Sequence, residues 1–317
     1  MSLKILITDD VNPLLVKGFE ARGYHCDFRP EITFADTLNI IHDYDGLVVN
    51  SKIFVFEELL SRAPKLRFVA RLGSGLEIID LKACAEHQVV VIASPEGNRQ
   101  AVGEHALGML LTLARQIPKA NVEIRQRIWA REARRGWELQ GKTVGLIGFG
   151  HTGRSFARVL AGFGVKLLIH DKYLPQGYAA QDFPDAIETD LNTLLAEADV
   201  ISLHLPLTSE VKHYADANFF ASCKAKAVVI NTSRGMVLNT RHLLDALHAG
   251  HIAGACLDVF ENEKAPTYSE EEAALYDELF ALDNVVLTPH IAGWTHESKR
   301  KMAEVILEKY DSLFVNR

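Results

Sequence analysis

Eleven short runs of β-branched and aliphatic residues recur along the chain, separated by stretches of helical composition. The first five are KILITDD, HCDFRP, DGLVVN, LRFVARL and VVVIAS. After a long gap come KTVGLIG, VKLLIHD, DVISLHLP, KAVVINTS, IAGACLDVF and NVVLTPH. A strand with one wet face alternates apolar with polar, whereas most of these runs are nearly continuous in their apolar character. That is the mark of parallel strands buried on both faces. Strands alternating with helices give an α/β fold, and five runs followed by six predict two doubly wound parallel-sheet domains.

A length of 317 residues suits two such domains. The gap between the series holds a long helical candidate, Asn98 to Gln116, whose Gly103, Ala106 and Gly108 would admit a close neighbour. It makes a natural domain border. Near the C-terminus Thr295 is a candidate N-cap, followed by Met302, Val305, Ile306 and Leu313 at helical spacing.

Charge and cysteine usage narrow the partners. A net charge of −7 argues against a nucleic acid, which needs a basic face. The one basic stretch, Arg125 to Arg135, interleaves Ile128, Trp129 and Ala133 and reads as a helix packing on another surface. Cys26, Cys84, Cys223 and Cys256 are scattered without a C-x-x-C pair, so no metal site or redox dithiol is expected. Reduced thiols suit the cytoplasm. No apolar run reaches the roughly 18 residues of a membrane span. Asp9 and Asp10 fall where a signal peptide would still be apolar. The expectation is a soluble cytoplasmic protein without membrane partners.

Within KTVGLIGFGHTGRSFARVL, Gly148, Gly150 and Gly153 have G-x-G-x-x-G spacing. The spacing alone is a weak signal, since glycines often mark a plain turn. Here a strand precedes it, a helix with Phe156, Val159 and Leu160 on one side follows, and the next strand ends in Asp171, 18 residues after Gly153. Glycines for close backbone approach, a helix N-terminus for a pyrophosphate and a carboxylate for ribose hydroxyls complete a dinucleotide fingerprint. Asp171 favours NAD over NADP, because it repels the extra phosphate. Lys172 could soften that preference.

Four polar clusters follow later strands: Arg234 in NTSRG, Asp258 in CLDVF, Glu263 in ENE and His290 in TPHIAG. Strand C-termini of open α/β sheets are where ligand groups collect. An arginine can fork onto a substrate carboxylate, a histidine can exchange a proton, and a neighbouring carboxylate can orient that histidine. Such a set suits hydride transfer at a 2-oxo acid.

Taken together, RLGSGLEIID, GNRQAVGEHALGMLL, VGLIGFGHTGRSFA, HLPLT, INTSRGMVL, GACLDVFENE and TPHIAG resemble the D-2-hydroxyacid dehydrogenase family, in the family's order and over nearly the whole chain. The sequence is most similar to the phosphoglycerate dehydrogenase branch, without an appended regulatory domain. The resemblance implies a Rossmann-type NAD-binding domain, 98–291, inserted in a flavodoxin-like substrate-binding domain formed by 1–97 and 292–317. It implies Arg234, Glu263 and His290 as the catalytic set. It implies NAD held by Gly148, Gly150, His151, Thr152, Gly153 and Asp171, with His204, Pro206, Thr232, Asp258 and Gly293 beside it. Lys52, Arg71, the Gly73-Ser74-Gly75 backbone and Arg234 are implied to hold substrate. A homodimer is usual in the family and would give Ile128 to Trp137 a partner surface.

Two positions depart from the branch. Asn50 stands where phosphoglycerate relatives tend to carry an arginine, and Glu263 is followed by Lys264 instead of proline. The expected function is an NAD-dependent dehydrogenase of a small D-2-hydroxy acid, with 3-phosphoglycerate, and hence serine biosynthesis, as the leading candidate. The alternatives are a hydroxypyruvate or glyoxylate reductase, and a non-catalytic NAD(H)-sensing protein of co-repressor type.

Overall fold

The computed structural model describes residues 3–180 and 182–315. The chain divides into two units, Met1–Arg99 with Trp294–Arg317, and Gln100–Gly293. Each border falls two residues later than the sequence reading sets it.

In the first unit, β1 (Leu3–Ile7), β2 (Tyr24–Phe28), β3 (Gly46–Val49), β4 (Phe68–Arg71) and β5 (Val90–Ala93) form one parallel sheet in the order β2-β1-β3-β4-β5. That is the flavodoxin-like winding. The C-terminal helix His296–Phe314 starts at Thr295, whose side chain caps the amide of Ser298 while Ser298 caps Thr295 in return. Its Met302, Ala303, Ile306 and Tyr310 close a buried cluster with Ile5, Ile7, Phe19 and Phe68. Truncating one of the large members to alanine costs about 2–5 kcal/mol.

The second unit has a seven-stranded parallel sheet: β6 (Thr143–Ile147), β7 (Lys166–His170), β8 (Ile187–Glu188), β9 (Val200–Leu203), β10 (Ala227–Asn231), β11 (Ile252–Leu257) and β12 (Val285–Leu287). Their order is β12-β11-β10-β9-β6-β7-β8. Counted within the unit this is the Rossmann winding with one further strand, and the order reverses beside β6. β8 is the strand that the sequence reading lacks; two residues are too few to show a periodicity.

The long helix expected at Asn98–Gln116 runs from Pro95 to Ala114, with proline at its first turn, where a missing amide costs nothing. A Cβ on Gly103 would lie 3.0 Å from the Ser155 carbonyl carbon, so the helix can press against the backbone of its neighbour only because that residue is glycine.

The single helix expected over Arg125–Arg135 is not formed. A helix Ile117–Arg125 ends there, Gln126 turns its amide back to the carbonyls of Val122 and Glu123, and Arg127 takes a left-handed φ of 63°. Arg134 folds back to Glu123 at 3.1 Å and to Gln116 at 2.7 Å. No residue of the Ile117–Arg125 helix is buried, and Val122, Ile124, Ile128 and Trp129 are exposed.

Among the described residues no helix is long and apolar enough to cross a membrane, and no three metal-ligating side chains stand together.

Candidate active site

One row of backbone partners crosses the second sheet. His170 pairs with Ile147, Ile147 with Leu203, Leu203 with Asn231, Asn231 with Leu257, and Leu257 with Leu287. The residues that follow this row are Asp171, Gly148, His204, Thr232, Asp258 and Thr288. Parallel strands all leave the sheet on the same side, so in-register pairing lines up six exits along one edge. Every sequence-predicted residue of this unit lies on those exits or within six residues of one.

At the centre is the glycine turn after β6. Gly148 has φ 89°, and a Cβ there would lie 2.4 Å from the His204 carbonyl oxygen. A Cβ on Gly153 would lie 2.2 Å from the carbonyl of Gly148, so this glycine lets the helix His151–Leu160 sit against the turn. At Gly150 a Cβ would meet no atom of the described residues within 4 Å. Two glycines are thus filled by the protein and the third opens onto space at the positive end of a helix dipole, where His151 and Thr152 begin the first turn.

Asp171 is fixed rather than loose. One carboxylate oxygen accepts the Phe149 amide at 2.8 Å, inside the glycine turn, and the other accepts the amides of Tyr173 and Leu174 at 3.0 and 3.2 Å. The acid is thereby held beside the turn while retaining acceptor capacity for hydroxyl groups.

The next exits act differently from one another. His204 is buried, its ring 5.5 Å from that of Phe156 and its Nε2 3.0 Å from Ser202 Oγ, while its carbonyl faces Gly148 in the turn. Burial pushes its pKa down to about 4, which keeps the imidazole neutral. Pro206 is exposed in the loop beyond. Thr232 is 8% exposed, and its Oγ1 has no hydrogen-bond partner among the described residues. A buried hydroxyl without a partner costs about 1–3 kcal/mol and needs an explanation; a ligand polar group supplies one.

Asp258 is wholly buried. Its Oδ1 accepts the Thr288 hydroxyl at 2.6 Å and the Ile291 amide at 2.9 Å, and its Oδ2 accepts the Ala292 amide at 2.8 Å. His105 stands 3.0 Å from the same Thr288 hydroxyl and 3.5 Å from Oδ1. Burial alone would raise this carboxyl; the donors from His105, Thr288, Ala292 and Ile291 outweigh it and hold the pKa below the ordinary range. The carboxylate thereby shapes the loop 288–292. Gly293 ends the loop and the unit.

The loop carries His290, whose φ of 56° is in the left-handed region. The conformation costs a non-glycine residue about 1–2 kcal/mol, and the Asp258 carbonyl, accepting the His290 amide at 2.7 Å, helps to hold it. The ring turns outward and its Nδ1 meets Glu263 Oε2 at 2.8 Å, both side chains remaining partly exposed. Glu263 is positioned in turn by its own loop: its Oε1 accepts the Phe260 amide at 3.3 Å, and the Asn262 amide donates to the Tyr276 hydroxyl at 2.9 Å. Arg234 leaves the neighbouring exit, one guanidinium nitrogen donating to the Ser233 carbonyl at 2.6 Å, while Asn231 grips its main-chain carbonyl at 2.9 Å. The structure brings Glu263 and His290 into contact and sets Arg234 on the adjoining exit.

The remaining predicted residues lie in the first unit, Lys52 after β3 and Arg71, Gly73, Ser74 and Gly75 at the end of β4. Arg71 donates to Asn50 Oδ1 at 2.7 Å, and its guanidinium lies 3.0 Å from where a Gly73 Cβ would be. Gly73, at φ 130°, donates its amide to Ser94 Oγ at 3.1 Å. Any anion grip by this turn therefore falls to the Ser74 and Gly75 amides. Lys52 turns its ammonium to the Pro30 carbonyl.

Sequence reasoning missed His105, Thr288, Asn262 and Tyr276, which hold the loops of His290 and Glu263. It also missed a second histidine–carboxylate pair: His213, at φ 53°, stands 2.5 Å from Glu261, which also accepts the Thr240 amide at 2.9 Å. These are unremarkable residue types 14 to 183 positions from their partners, so no local pattern marks them.

Known proteins share both sequence and shape with this chain. It is 33% identical over 307 residues to D-3-phosphoglycerate dehydrogenase of Methanocaldococcus jannaschii, covering 97% of this chain and 56% of that protein. It is 36% identical to hydroxypyruvate reductase of Thermotoga maritima over 274 residues, 86% of each. A D-lactate dehydrogenase of Aquifex aeolicus, solved with NAD and lactic acid, superposes with a TM-score of 0.83 at 26% identity, over 98% of this chain and 95% of the other. The chain spans about half the length of the phosphoglycerate dehydrogenases it matches. The family model for the NAD-binding domain of D-isomer-specific 2-hydroxyacid dehydrogenases matches residues 107–292, within the unit that carries the glycine turn, the open Gly150 cradle and the Glu263–His290 pair. The chain belongs to the D-isomer-specific 2-hydroxyacid dehydrogenase family, with NAD as its cofactor.

Proposed function

We propose that this protein interconverts a small D-2-hydroxy acid and its 2-oxo acid with NAD(H). The observation that carries the reading is the Glu263–His290 pair at 2.8 Å, raised on a left-handed backbone beside the glycine turn's edge of the sheet. Bound NAD(H) supplies the hydride-transfer chemistry. With Nδ1 engaged by Glu263, His290 exchanges the proton at the substrate oxygen through Nε2. Glu263 orients the ring through that contact. Arg234 forks onto the substrate carboxylate and polarises the carbonyl. Gly150, Asp171 and Thr232 fit the dinucleotide through space, acceptors and an unpartnered hydroxyl. Asp258 serves through the loop it holds.

The acid is read as unphosphorylated, hydroxypyruvate or glyoxylate ahead of 3-phosphoglycerate. A phosphate needs positive charge in addition to what the carboxylate takes. In the first unit Arg71 is engaged by the neutral Asn50, and Lys52 by the Pro30 carbonyl. The discriminating measurement is NADH oxidation with a panel of 2-oxo acids, comparing kcat/KM for hydroxypyruvate and phosphohydroxypyruvate in the parent, Arg71→Ala and Lys52→Ala. The expected result is turnover of the panel with no preference for the phosphorylated acid. A preference that both substitutions abolish would make 3-phosphoglycerate the substrate. NADH binding without turnover of any acid would favour a sensing role.

A further inference from the structure

The edge of the nucleotide site beyond Asp171 carries a contact that the reaction does not use. Directly after Asp171 come Lys172 and Tyr173; Glu210 lies in the loop after β9. One oxygen of Glu210 accepts both the Lys172 ammonium at 2.9 Å and the Tyr173 hydroxyl at 2.8 Å. The ammonium also lies 5.3 Å from the centre of the Tyr173 ring. β7 and β9 flank β6 in the sheet, so these bonds join the loops on either side of the strand that leads into the glycine turn.

We propose that Glu210 is a cofactor-specificity residue: by clasping Lys172 and Tyr173 it withholds the Lys172 ammonium, next in sequence to Asp171, from the 2′-phosphate of NADP. The inference rests on the assignment of this unit to NAD. A dinucleotide's 2′-phosphate would fall at the acid that ends the second strand of the fold, and accepting it takes a nearby cation. Lys172 is adjacent in sequence to that acid, yet its charge is spent on Glu210. The two carboxylates and one ammonium leave a net negative corner that repels a phosphate. Lys172 and Glu210 are 67% and 61% exposed, and exposed ion pairs add little to stability. The contact couples the two charges: Lys172 chiefly holds the Glu210 carboxyl below its ordinary range, with Tyr173 next, and Glu210 chiefly raises the Lys172 ammonium.

The test measures dissociation constants of NADH and NADPH for the full chain by nicotinamide fluorescence, in the parent, Glu210→Gln, Lys172→Met and the double variant. The parent should prefer NADH. Glu210→Gln, which removes one negative charge and frees the ammonium, should narrow the preference about 3–10-fold by tightening NADPH. Adding Lys172→Met should take most of that gain away. NADH binding with a ratio unmoved by Glu210→Gln overturns the proposal, as does a gain that persists in full without Lys172. A parent that binds neither nucleotide would overturn the dinucleotide assignment and the clasp's role with it.

Discussion

Asp258 and His290 are joined through the backbone, the carbonyl of one accepting the amide of the other at 2.7 Å, while the Asp258 carboxylate gathers the amides of Ile291 and Ala292 just beyond. A buried acid thus fixes the loop on which an outward-facing imidazole meets Glu263. The group proposed to exchange the proton and its scaffold are separate residues, and they can be perturbed separately.

Replacing His290 by glutamine keeps size and polarity and removes the titrating group. Turnover should fall about 10²–10⁴-fold, with the NADH dissociation constant little changed. Steady-state rates beside fluorescence titration check both halves, and near-normal turnover would remove His290 from its proposed role.

Asp258→Asn acts on the scaffold. The amide nitrogen brings donors to a place already filled with donors, so about 1–3 kcal/mol of stability should be lost along with turnover. Thermal melts of this variant against His290→Gln make the distinction: only the former should lower the midpoint appreciably.

The glycines make opposite predictions from identical chemistry. Gly153→Ala puts a methyl 2.2 Å from the Gly148 carbonyl and should destabilise the unit. Gly150→Ala meets no atom of the described residues within 4 Å and should fold normally while weakening NADH binding. A Gly150→Ala protein with parental NADH affinity would show that the open space is not where the dinucleotide lies.

Stability should depend on pH through His204. Its folded pKa, about 4, lies below the ordinary 6.5 of the unfolded chain. The unfolded state therefore binds the proton first, and folding loses stability as pH falls from about 6.5 towards 4. The full effect is roughly 3 kcal/mol. Denaturant unfolding at stepped pH should show this slope, and His204→Gln should flatten it.

Val122, Ile124, Ile128 and Trp129 leave an apolar surface exposed on the second unit, Trp129 by 71%. We expect a homodimer to cover it. Light scattering should give twice the chain mass, and Ile124→Asp with Trp129→Asp should give monomers; a monomeric parent at micromolar concentration would refute this.

Much of the molecule was legible in the sequence because its signals are local. Continuous apolar runs report burial on both faces, which is why all eleven read strands are present and the two-residue β8 is not. The glycine spacing and Asp171 are legible because one strand–turn–helix–strand unit contains them. The Thr295 cap is legible for the same reason. The helix over Arg125–Arg135 was misread because composition cannot show a backbone reversal at Arg127. What only the tertiary structure decided is which exits point outward. In-register parallel pairing lines up Gly148, Asp171, His204, Thr232, Asp258 and Thr288 along one edge, although their sequence separations span more than a hundred residues. Burial then separates them: the His204 ring is turned inward to Ser202 and Asp258 inward to hold backbone, while Glu263 and His290 are turned out as a pair. Residue type and spacing proposed the candidates; long-range packing, which has no local signature, divided scaffold from chemistry.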